Sequence, residues 1–342
     1  MTDSISSQIE QCVRLDPARR GLIGSEPRFG PLCQGHLAAA AEHLATAARD
    51  VVIVTGFFIP RGDPPAAETD GPPGALLLAE TLRQTGASVT LVTDRFCRDA
   101  LRAAAREFGF PSDCLASPPD SAEASPTGEA AWRGQLFEDH PHLTHLVAIE
   151  RVGPSHTLES MLRQSREGVP PTEQFLRQVP PEHQNHCHNM RGEAIDQFAG
   201  DIHRLFEEAQ VQSPNATTVG IGDGANEIGM GCIPWEELER RLTGEQSGRV
   251  PCRISCRWNL VAGTSNWGAM ALAAAIAHRR GACEVLAPFT VDQQQRVLQA
   301  MIDHGPAVDG VTRRREPTVD GLSAEEYFQP WRAIRRLLAL PE

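Results

Sequence analysis

Apolar residues follow two alternating patterns along the chain. Short runs rich in Val, Ile and Leu, typical of strands buried on both faces, lie at residues 51–60, 87–94, 144–150, 216–224 and 253–263. Segments with apolar residues at helical spacing lie at 36–50, 74–86, 97–109, 191–210 and 265–281. This alternation predicts an α/β fold, a Rossmann-like three-layer sandwich in which helices cover both faces of a mostly parallel sheet.

The same patterns indicate how the chain is organised. Residues 1–45 are expected to form a helical segment packed on a single α/β domain that spans 46–342. The stretch 111–130 is rich in Pro, Ser and Ala without periodicity, which predicts an exposed loop. Residues 151–190 form a long insertion rich in Pro and His. A long loop in a compact domain is usually functional or disordered, so this insertion is interpreted as a lid over a site or a mobile flap.

Charge narrows the range of partners. The 342 residues include 32 Lys and Arg against 44 Asp and Glu, a net charge of −12, which disfavours nucleic acid and anionic membranes. An anionic small molecule would need a local Arg or backbone N–H groups. The composition is compatible with a homo-oligomer, and no motif predicts a nucleotide cofactor.

Cysteine usage and the first residues bear on location. Nine cysteines, odd in number and scattered, indicate reduced thiols in a cytosol. Cys252 and Cys256 form the closest pair, which is a weak zinc signal. No apolar run approaches the length of a membrane span, and the start MTDSISSQIE resembles neither a secretory signal nor a transit peptide. We therefore expect a cytoplasmic protein.

Acidic and glycine-rich loops follow several of the predicted strands. The carboxyl ends of parallel strands lie at one edge of the sheet, where ligands bind, so these loops are expected to converge on one crevice. The loops are Glu68–Gly74, Glu150–Arg151, Gly222–Glu227 and Gly263–Gly268.

The loop GDGANE has two interpretations. In the structural one, Gly222 and Gly224 bend the chain and Asp223 or Asn226 caps the next helix. In the functional one, the glycines let the backbone approach a ligand, while Asp223, Asn226 and Glu227 hold a cation, an ammonium group or a water molecule. Capping accounts for one polar residue and leaves Glu227 unexplained.

The other loops have the same two interpretations. ETDGPPGA is either a turn that starts a helix, or a site where Glu68 and Asp70 bind an ammonium group or metal beside helix N–H groups. Ser265 and Asn266 either cap the following helix or contact a ligand. Trp267 is expected in the core.

Further candidates lie at the end of the insertion. His183, His186, Cys187 and His188 are close enough in sequence to suggest a metal site, against the alternative of plain polar surface. Arg191 is a candidate for binding a carboxylate, and a surface ion pair is the alternative.

Two families share motifs with this chain. GDGANE resembles the magnesium-binding loop of haloacid-dehalogenase-type phosphatases, but the chain lacks the Asp-x-Asp that supplies their nucleophile. A resemblance over much more of the chain, from about residue 14 to the end, is to the D-glutamate cyclase C-terminal-domain family. It is carried in order by DPARRGL, VVIVTGFFIP, ETDGPPGALLLAETL, VTLVTD, IERVG, NMRGEAID, GIGDGANEIGMG, VAGTSNWGAMAL, AVDGV and TVDGLS.

The resemblance implies a lyase that converts D-glutamate to 5-oxo-D-proline and water, or a related reaction on a small amino or carboxylic acid. It implies that Asp223 and Glu227 hold a cation or act as base, that Asn226 orients the substrate, and that Mg or Mn is a plausible cofactor. The other implied site residues are Asp70 as a catalytic group and Glu68, Thr69, Gly71, Arg191, Gly222, Gly224, Ser265 and Asn266 in substrate binding. A metal-dependent phosphoryl-transfer enzyme and a non-catalytic amino-acid-binding module are the alternatives.

Overall fold

The computed structural model describes residues 4–23, 30–119 and 126–341. The strands of this part of the chain are β1 (Asp50–Thr55), β2 (Phe58–Ile59), β3 (Ala66–Glu68), β4 (Ser88–Val92), β5 (Leu115–Ala116), β6 (His145–Ile149), β7 (Thr217–Gly222), β8 (Trp258–Val261) and β9 (Ala307–Val308). Its α-helices are α1 (Ser4–Val13), α2 (His36–Ala47), α3 (Pro72–Gln84), α4 (Arg98–Phe108), α5 (Pro126–Asp139), α6 (Leu158–Arg163), α7 (Thr172–Gln178), α8 (Arg204–Gln212), α9 (Trp235–Arg241), α10 (Ser265–Arg280), α11 (Val291–His304) and α12 (Ala324–Leu337).

A parallel sheet in the order β5-β4-β1-β6-β7-β8 forms the centre of the molecule. Strand β1 lies in the middle of this sheet. Its residues are apolar because both of its faces are covered by helices. Val51 and Ile53 belong to one hydrophobic cluster, and Val52 and Val54 belong to the cluster on the opposite face. The expected α/β class with a mostly parallel sheet is confirmed.

Helices form the two outer layers. One face of the sheet is covered by α1, α2, α3, α4, α10, α11 and α12, and the other by α5, α8 and α9. Helix α10 packs closely on β7 because the helix residues that face the sheet are small. A Cβ atom added at Gly268 would lie 2.5 Å from a side-chain carbon of Ile221. The small-residue helix expected from the sequence is confirmed.

A second, three-stranded sheet lies beside the carboxyl edge of the first. Strand β3 pairs antiparallel with β2 and parallel with β9, which places Glu68 opposite Val308. The segment after β9 is thereby brought next to the loop that follows β3. This small sheet delivers acidic residues from two distant parts of the sequence to one place.

Three predicted elements are shorter in the structure than expected. The strand expected at 51–60 ends at Thr55, and Phe58–Ile59 instead form β2 in the second sheet. The helix expected at 191–210 begins only at Arg204. The Asp196 carboxylate bonds to the insertion, where it accepts the Cys187 backbone N–H at 2.9 Å. The backbone of Gly200 has a left-handed conformation, which also interrupts the helix. The strand expected at 253–263 is confined to β8. The preceding residues instead bond to the loop after β7, with the N–H groups of Gly229 and Gly231 donating to the Ile254 carbonyl.

The two irregular segments contain ordered structure. Within 111–130, residues 112–114 form a 3-10 turn, β5 follows, and α5 begins at residue 126, while residues 120–125 lie outside the described part. This segment is therefore not the continuous loop that was expected. Within 151–190, helices α6 and α7 are present, and Val152 is bridged to Glu227. Its role as a lid stays a prediction.

No helix in the described ranges is both long and apolar enough to cross a bilayer.

Candidate active site

A narrow acidic pocket opens where the strand ends meet the small sheet. The space open to the centre of a water molecule is about 90 Å³, several times what one water requires, which suits a ligand of amino-acid size. The charged and amide side chains that line it are Arg20, Arg61, Glu68, Glu150, Asn189, Arg191, Glu193, Asp223, Asn226, Glu227 and Arg313. Glu68, Asp223 and Ser265 do converge as the sequence pattern predicted, with Ser265 just beneath the lining.

The GDGANE loop forms one wall of the pocket. The Glu227 Oε1 atom accepts the Gly224 N–H at 3.0 Å, and the Asn226 Nδ2 atom donates to the His188 carbonyl at 2.9 Å. The other carboxylate oxygen of Glu227, Oε2, and the amide oxygen of Asn226, Oδ1, are buried and have no partner among the described residues. A buried acceptor without a partner is costly unless a ligand fills the place, so this geometry favours the functional interpretation of the loop.

The structural interpretation of this loop is wrong. The first helix after β7 is α9, which begins at Trp235 with Pro234 at its N-cap, so neither Asp223 nor Asn226 caps it. The glycines are required by close packing instead. A Cβ atom at Gly222 would lie 2.9 Å from Glu227 Oε2, and one at Gly224 would lie 2.7 Å from Asn226 Oδ1.

Glu150 lies directly after β6 and completes the acidic floor. Its backbone is left-handed, with φ of 49°, and its carboxylate accepts the Ser265 hydroxyl. Gly71 lies against it, since an added Cβ would be 2.8 Å from Glu150 Cβ. Sequence analysis identified the loop that contains Glu150 but assigned the residue no role.

Arg20 is the cation inside the pocket, and sequence analysis missed it. Its guanidinium forms ion pairs with Asp223 and, at 3.0 Å, with Asp320. The carboxylate of Asp16 positions the backbone, because it accepts the N–H groups of Arg20 at 2.8 Å and Gly21 at 2.9 Å. The motif DPARRGL was the available signal, because it is part of the family resemblance and contains an Asp and a Gly, residues typical of turns.

Sequence analysis also missed Asp320, although a repeated triplet was available as a signal. The triplet VDG occurs at 308–310 and at 319–321. Asp309 of the first copy is structural, because its carboxylate accepts the N–H groups of Val311 and Gly321 at 2.9 and 2.7 Å. Asp320 of the second copy is turned into the site and meets Arg20. The repeated triplet was the signal, but only the structure shows which copy faces the pocket.

Asp70 and Asn266 cap each other's helices. The two carboxylate oxygens of Asp70 accept the N–H groups of Ser265 and Asn266, at 2.8 and 2.9 Å, at the start of α10. In return, the Oδ1 atom of Asn266 accepts the N–H groups of Gly71 and Gly74, at 3.1 and 2.7 Å, at the start of α3. These contacts give both residues a positioning function, because they lock two pocket loops together.

Two predicted substrate-binding residues differ in position: Thr69 lies outside the pocket lining, whereas Arg191 is part of it. The Thr69 hydroxyl donates to the Thr318 carbonyl at 2.7 Å, which makes it an anchor of the loop that carries Asp320. Arg191 is exposed at the mouth, and Arg313, which is half-buried, also lines the pocket. Neither arginine forms an ion pair within the described part of the chain, whereas nearby Arg61 is paired with Glu193 at 2.6 Å.

Burial dominates the electrostatics of the site. It raises the pKa of Glu68, Glu150 and Asp223 well above the usual carboxyl range, with neighbouring carboxylates adding to the effect for Glu68 and Glu150. Burial also raises the pKa of Asp70 and Glu227 to about 7 in each case, against the opposing influence of Arg20 and backbone N–H groups. These carboxyl groups would therefore ionise together only beside an additional positive charge.

Two sets of carboxylates are close enough to hold a metal ion. One consists of Asp70, Asp223 and Asp320, and the other of Glu150, Asp223 and Glu227; in each set the ligand oxygens lie within 4.8 Å of one another. Arg20 pairs with two members of the first set, Asp223 and Asp320, but with only one member of the second, Asp223. The second set, with the free oxygens of Glu227 and Asn226 beside it, is the better match to a cation that prefers oxygen ligands.

The histidine cluster and the cysteine pair do not form such a set within the described residues. His183 accepts a hydrogen bond from Arg249 at 3.1 Å, and His186 contacts Asp196 at 3.0 Å. A guanidinium beside His183 opposes a metal cation. Trp267 is buried in the core, as expected, and its ring N–H donates to the Tyr327 carbonyl at 2.8 Å.

Comparison with known proteins identifies relatives over most of the chain. A family model described as "D-glutamate cyclase-like, C-terminal" matches residues 9–166 and 176–335. The human protein named "D-glutamate cyclase, mitochondrial" is 29% identical over 277 residues, which cover 79% of this chain and 38% of the human protein. The chain thus spans well under half the length of that relative.

Replacing Asn266 by Ala tests the reciprocal caps. The change removes the acceptor of two buried N–H groups, so we expect it to lower the free energy of unfolding by about 1–3 kcal/mol, measured by urea denaturation. Asn215→Ala, at an exposed position, is the matched control and should change it by less than about 0.5 kcal/mol. Equal effects of the two substitutions would show that the caps do not stabilise the loops.

The pH dependence of stability tests the raised pKa of Glu227. The folded-state pKa of about 7 exceeds the unfolded value of about 4.3, so the unfolded chain releases this proton first. The contribution of the protonated Glu227 carboxyl group to the free energy of unfolding is therefore complete below about pH 4. It is lost as the pH rises through 7. Burial lowers the pKa of His145, His188 and His203 to about 4, which acts in the opposite direction.

The comparison of wild type with Glu227→Gln isolates the carboxyl contribution. Without divalent metal, we expect the variant to gain stability relative to wild type between pH 5 and pH 8, as measured by urea denaturation. Glu325→Gln, at an exposed position on α12, should run parallel to wild type. A Glu227→Gln curve that also stays parallel would mean that the pKa of Glu227 is not raised.

Proposed function

We propose, because the chain belongs to the D-glutamate cyclase-like, C-terminal family, that it is a lyase that converts D-glutamate to 5-oxo-D-proline and water. The observation that carries the proposal is the composition of one pocket. Buried carboxylates with unpartnered oxygens form its floor, and two arginines without ion-pair partners in the described chain stand at its mouth. A molecule with an ammonium group and carboxylates is complementary to that arrangement.

The reaction sets definite requirements on the site. The substrate amine attacks the γ-carboxylate carbon, the new C–N bond closes a five-membered ring, and one carboxylate oxygen departs. The ammonium nitrogen gives up two protons, and both end on the departing oxygen as water. The enzyme therefore needs a group that relays protons, a positive charge near the γ-carboxylate, and an anchor for the α-carboxylate.

Glu68 is the proposed proton relay. It is buried in the pocket lining, and burial keeps its pKa well above the usual range, which matches a group that takes a proton from an amine and returns it to an oxygen. Gly310 leaves room for its carboxylate, since a Cβ atom there would lie 1.6 Å from Glu68 Oε1. The free Oδ1 atom of Asn226 is placed to accept a hydrogen bond from the amine.

Arg191 and Arg313 are the proposed anchors of the α-carboxylate. Both line the mouth, and a guanidinium binds a carboxylate through two parallel hydrogen bonds. Arg20 lies deeper and balances the charge of Asp223 and Asp320. With this orientation the γ-carboxylate points toward the floor of the pocket.

Mg or Mn is the proposed cofactor, and Glu150, Asp223 and Glu227 are the residues that would hold it. Bound there, a divalent cation would supply Lewis-acid polarisation of a carboxylate oxygen. It would also lower the pKa of the surrounding carboxyl groups. Asp70, whose carboxylate oxygens cap α10, is assigned to positioning.

The activity is tested with purified protein, D-glutamate and L-glutamate, each with and without Mg or Mn. We expect 5-oxoproline from D-glutamate, detected by chiral chromatography with mass spectrometry. Asp223→Asn should reduce the rate at least about a hundredfold, because it removes a proposed site carboxylate. It should not lower the melting temperature, because it also relieves repulsion among several crowded carboxylates. Asp303→Asn, at an exposed position on α11, is the control.

Two outcomes of this assay would reject the proposal, and a third would reject the role assigned to Asp223. D-glutamate that raises the melting temperature without forming product would indicate a binding module. Phosphate released from a panel of phosphorylated metabolites, with no 5-oxoproline, would indicate phosphoryl transfer. Loss of the folded state in Asp223→Asn would show that this residue is structural.

Gly310→Ala tests the position of Glu68. The added methyl group cannot coexist with the Glu68 carboxylate, so we expect kcat/KM to fall at least about tenfold while circular dichroism stays unchanged. Gly134→Ala is the control, because a Cβ atom at that position in α5 meets nothing within 4 Å. Full activity of Gly310→Ala would exclude Glu68 as the relay.

A further inference from the structure

A pair of cysteines lies apart from the acidic pocket. The Sγ atoms of Cys33 and Cys232 are 3.9 Å apart, and both residues are partly exposed. All nine cysteines of the chain are free thiols in the structure. Cys232 also lines an open polar groove of about 580 Å³, so a small molecule can reach the Cys232 side of the pair from solvent.

The surroundings of Cys33 favour its thiolate form. The residue precedes α2, with His36 and the guanidinium of Arg241 nearby. Arg241 is held in place because it donates to the Gly30 carbonyl at 2.7 Å. The hydrogen bond between the two sulfur atoms, followed by the influence of His36, lowers the pKa of Cys33 to about 5 against the opposing effect of burial.

The other ionisable neighbours affect the partners of Cys33. The contact with Cys33, and to a smaller extent Glu10, raises the pKa of His36, whose Nδ1 atom accepts the Asn259 backbone N–H at 3.0 Å. Cys33, followed by burial and by Cys256, raises the pKa of Cys232, so Cys232 retains its proton. One thiolate and one neighbouring thiol are the arrangement that thiol–disulfide exchange requires.

We propose that Cys33 and Cys232 form a redox-active dithiol that reacts with low-molecular-weight disulfides of the glutathione type. The Cys33 thiolate attacks one sulfur of the small disulfide, which forms a mixed disulfide and releases one thiolate. Cys232 then attacks the Cys33 sulfur, its proton passes to the second departing thiolate, and an internal disulfide forms. The protein loses two electrons, and the small disulfide is reduced to two thiols.

The product would connect the segment before α2 to the segment that follows the GDGANE loop. Cys232 follows the GDGANE loop, where its N–H donates to the Gly229 carbonyl at 3.1 Å. Cys33 lies in the segment that leads into α2, beyond Arg20 in sequence. The reaction needs none of the pocket carboxylates and is independent of the proposed cyclase activity.

Thiol counting tests the proposal on the intact chain. Reduced protein is incubated with oxidised glutathione, denatured in acid, alkylated and mapped by mass spectrometry. We expect wild type to lose two of its nine alkylatable thiols, with a Cys33–Cys232 linkage. Cys232→Ser should instead stop at a glutathione adduct on Cys33, whereas Cys283→Ser, at a remote partly exposed position, should form the linkage as wild type does.

The alkylation rate at pH 6 is a second measurement that needs no variant. A thiol whose pKa falls from 9 to about 5 gains close to a thousandfold in thiolate, and its lower nucleophilicity removes much of that gain. Cys33 should therefore react with iodoacetamide about tenfold faster than Cys114, whose pKa is raised by burial. Equal rates, nine thiols after oxidation, or a wild-type adduct that never becomes an internal disulfide would each overturn the proposal.

Discussion

The structure depends on how buried negative charge is balanced at one edge of the sheet. Glu68, Asp70, Glu150, Asp223, Glu227 and Asp320 are all buried there, and Arg20 is the one cation that pairs with any of them in the described part of the chain. Removing a carboxylate from water costs several kcal/mol unless it is protonated or paired. Folding alone gives no reason to gather so many acids. A positively charged ligand, whether an ammonium group or a divalent cation, would supply the missing compensation, and the buried acceptors without partners on Glu227 and Asn226 mark where it would bind.

Helix ends and glycines keep this unfavourable arrangement in place. Asp70 and Asn266 exchange caps between α10 and α3, which ties the loop after β3 to the loop after β8. Gly310 and Gly71 leave room for Glu68 and Glu150, because a Cβ atom at either glycine would collide with the neighbouring acid. The motifs that carry the family resemblance therefore contain two kinds of residue. Some face the ligand space, and others hold the loops that present them.

Sequence reasoning reached the fold and part of the pocket because both depend on local pattern. Apolar runs predicted the strands, and the rule that loops meet at the carboxyl edge predicted that Glu68, Asp223 and Ser265 converge. It did not reach Arg20, Asp320 or the role of Asp70, because these depend on which distant segment lies opposite. The motif SNWG looks the same whether its Asn caps its own helix or another one. The second VDG triplet reaches the site only because its chain segment passes beside Arg20. The shortened helix after residue 190 likewise reflects Asp196 bonding across the insertion, a contact that no local pattern encodes.

The most direct measurement is a crystal structure of the protein soaked with D-glutamate and Mn²⁺, with anomalous diffraction to identify the metal. The account predicts positive charge in contact with Asp223, either the substrate ammonium group or Mn²⁺ beside Glu150 and Glu227, and a substrate carboxylate paired with Arg191 or Arg313. D-glutamate and Mn²⁺ bound elsewhere at saturating concentrations, with the carboxylates of this pocket unliganded, would contradict it.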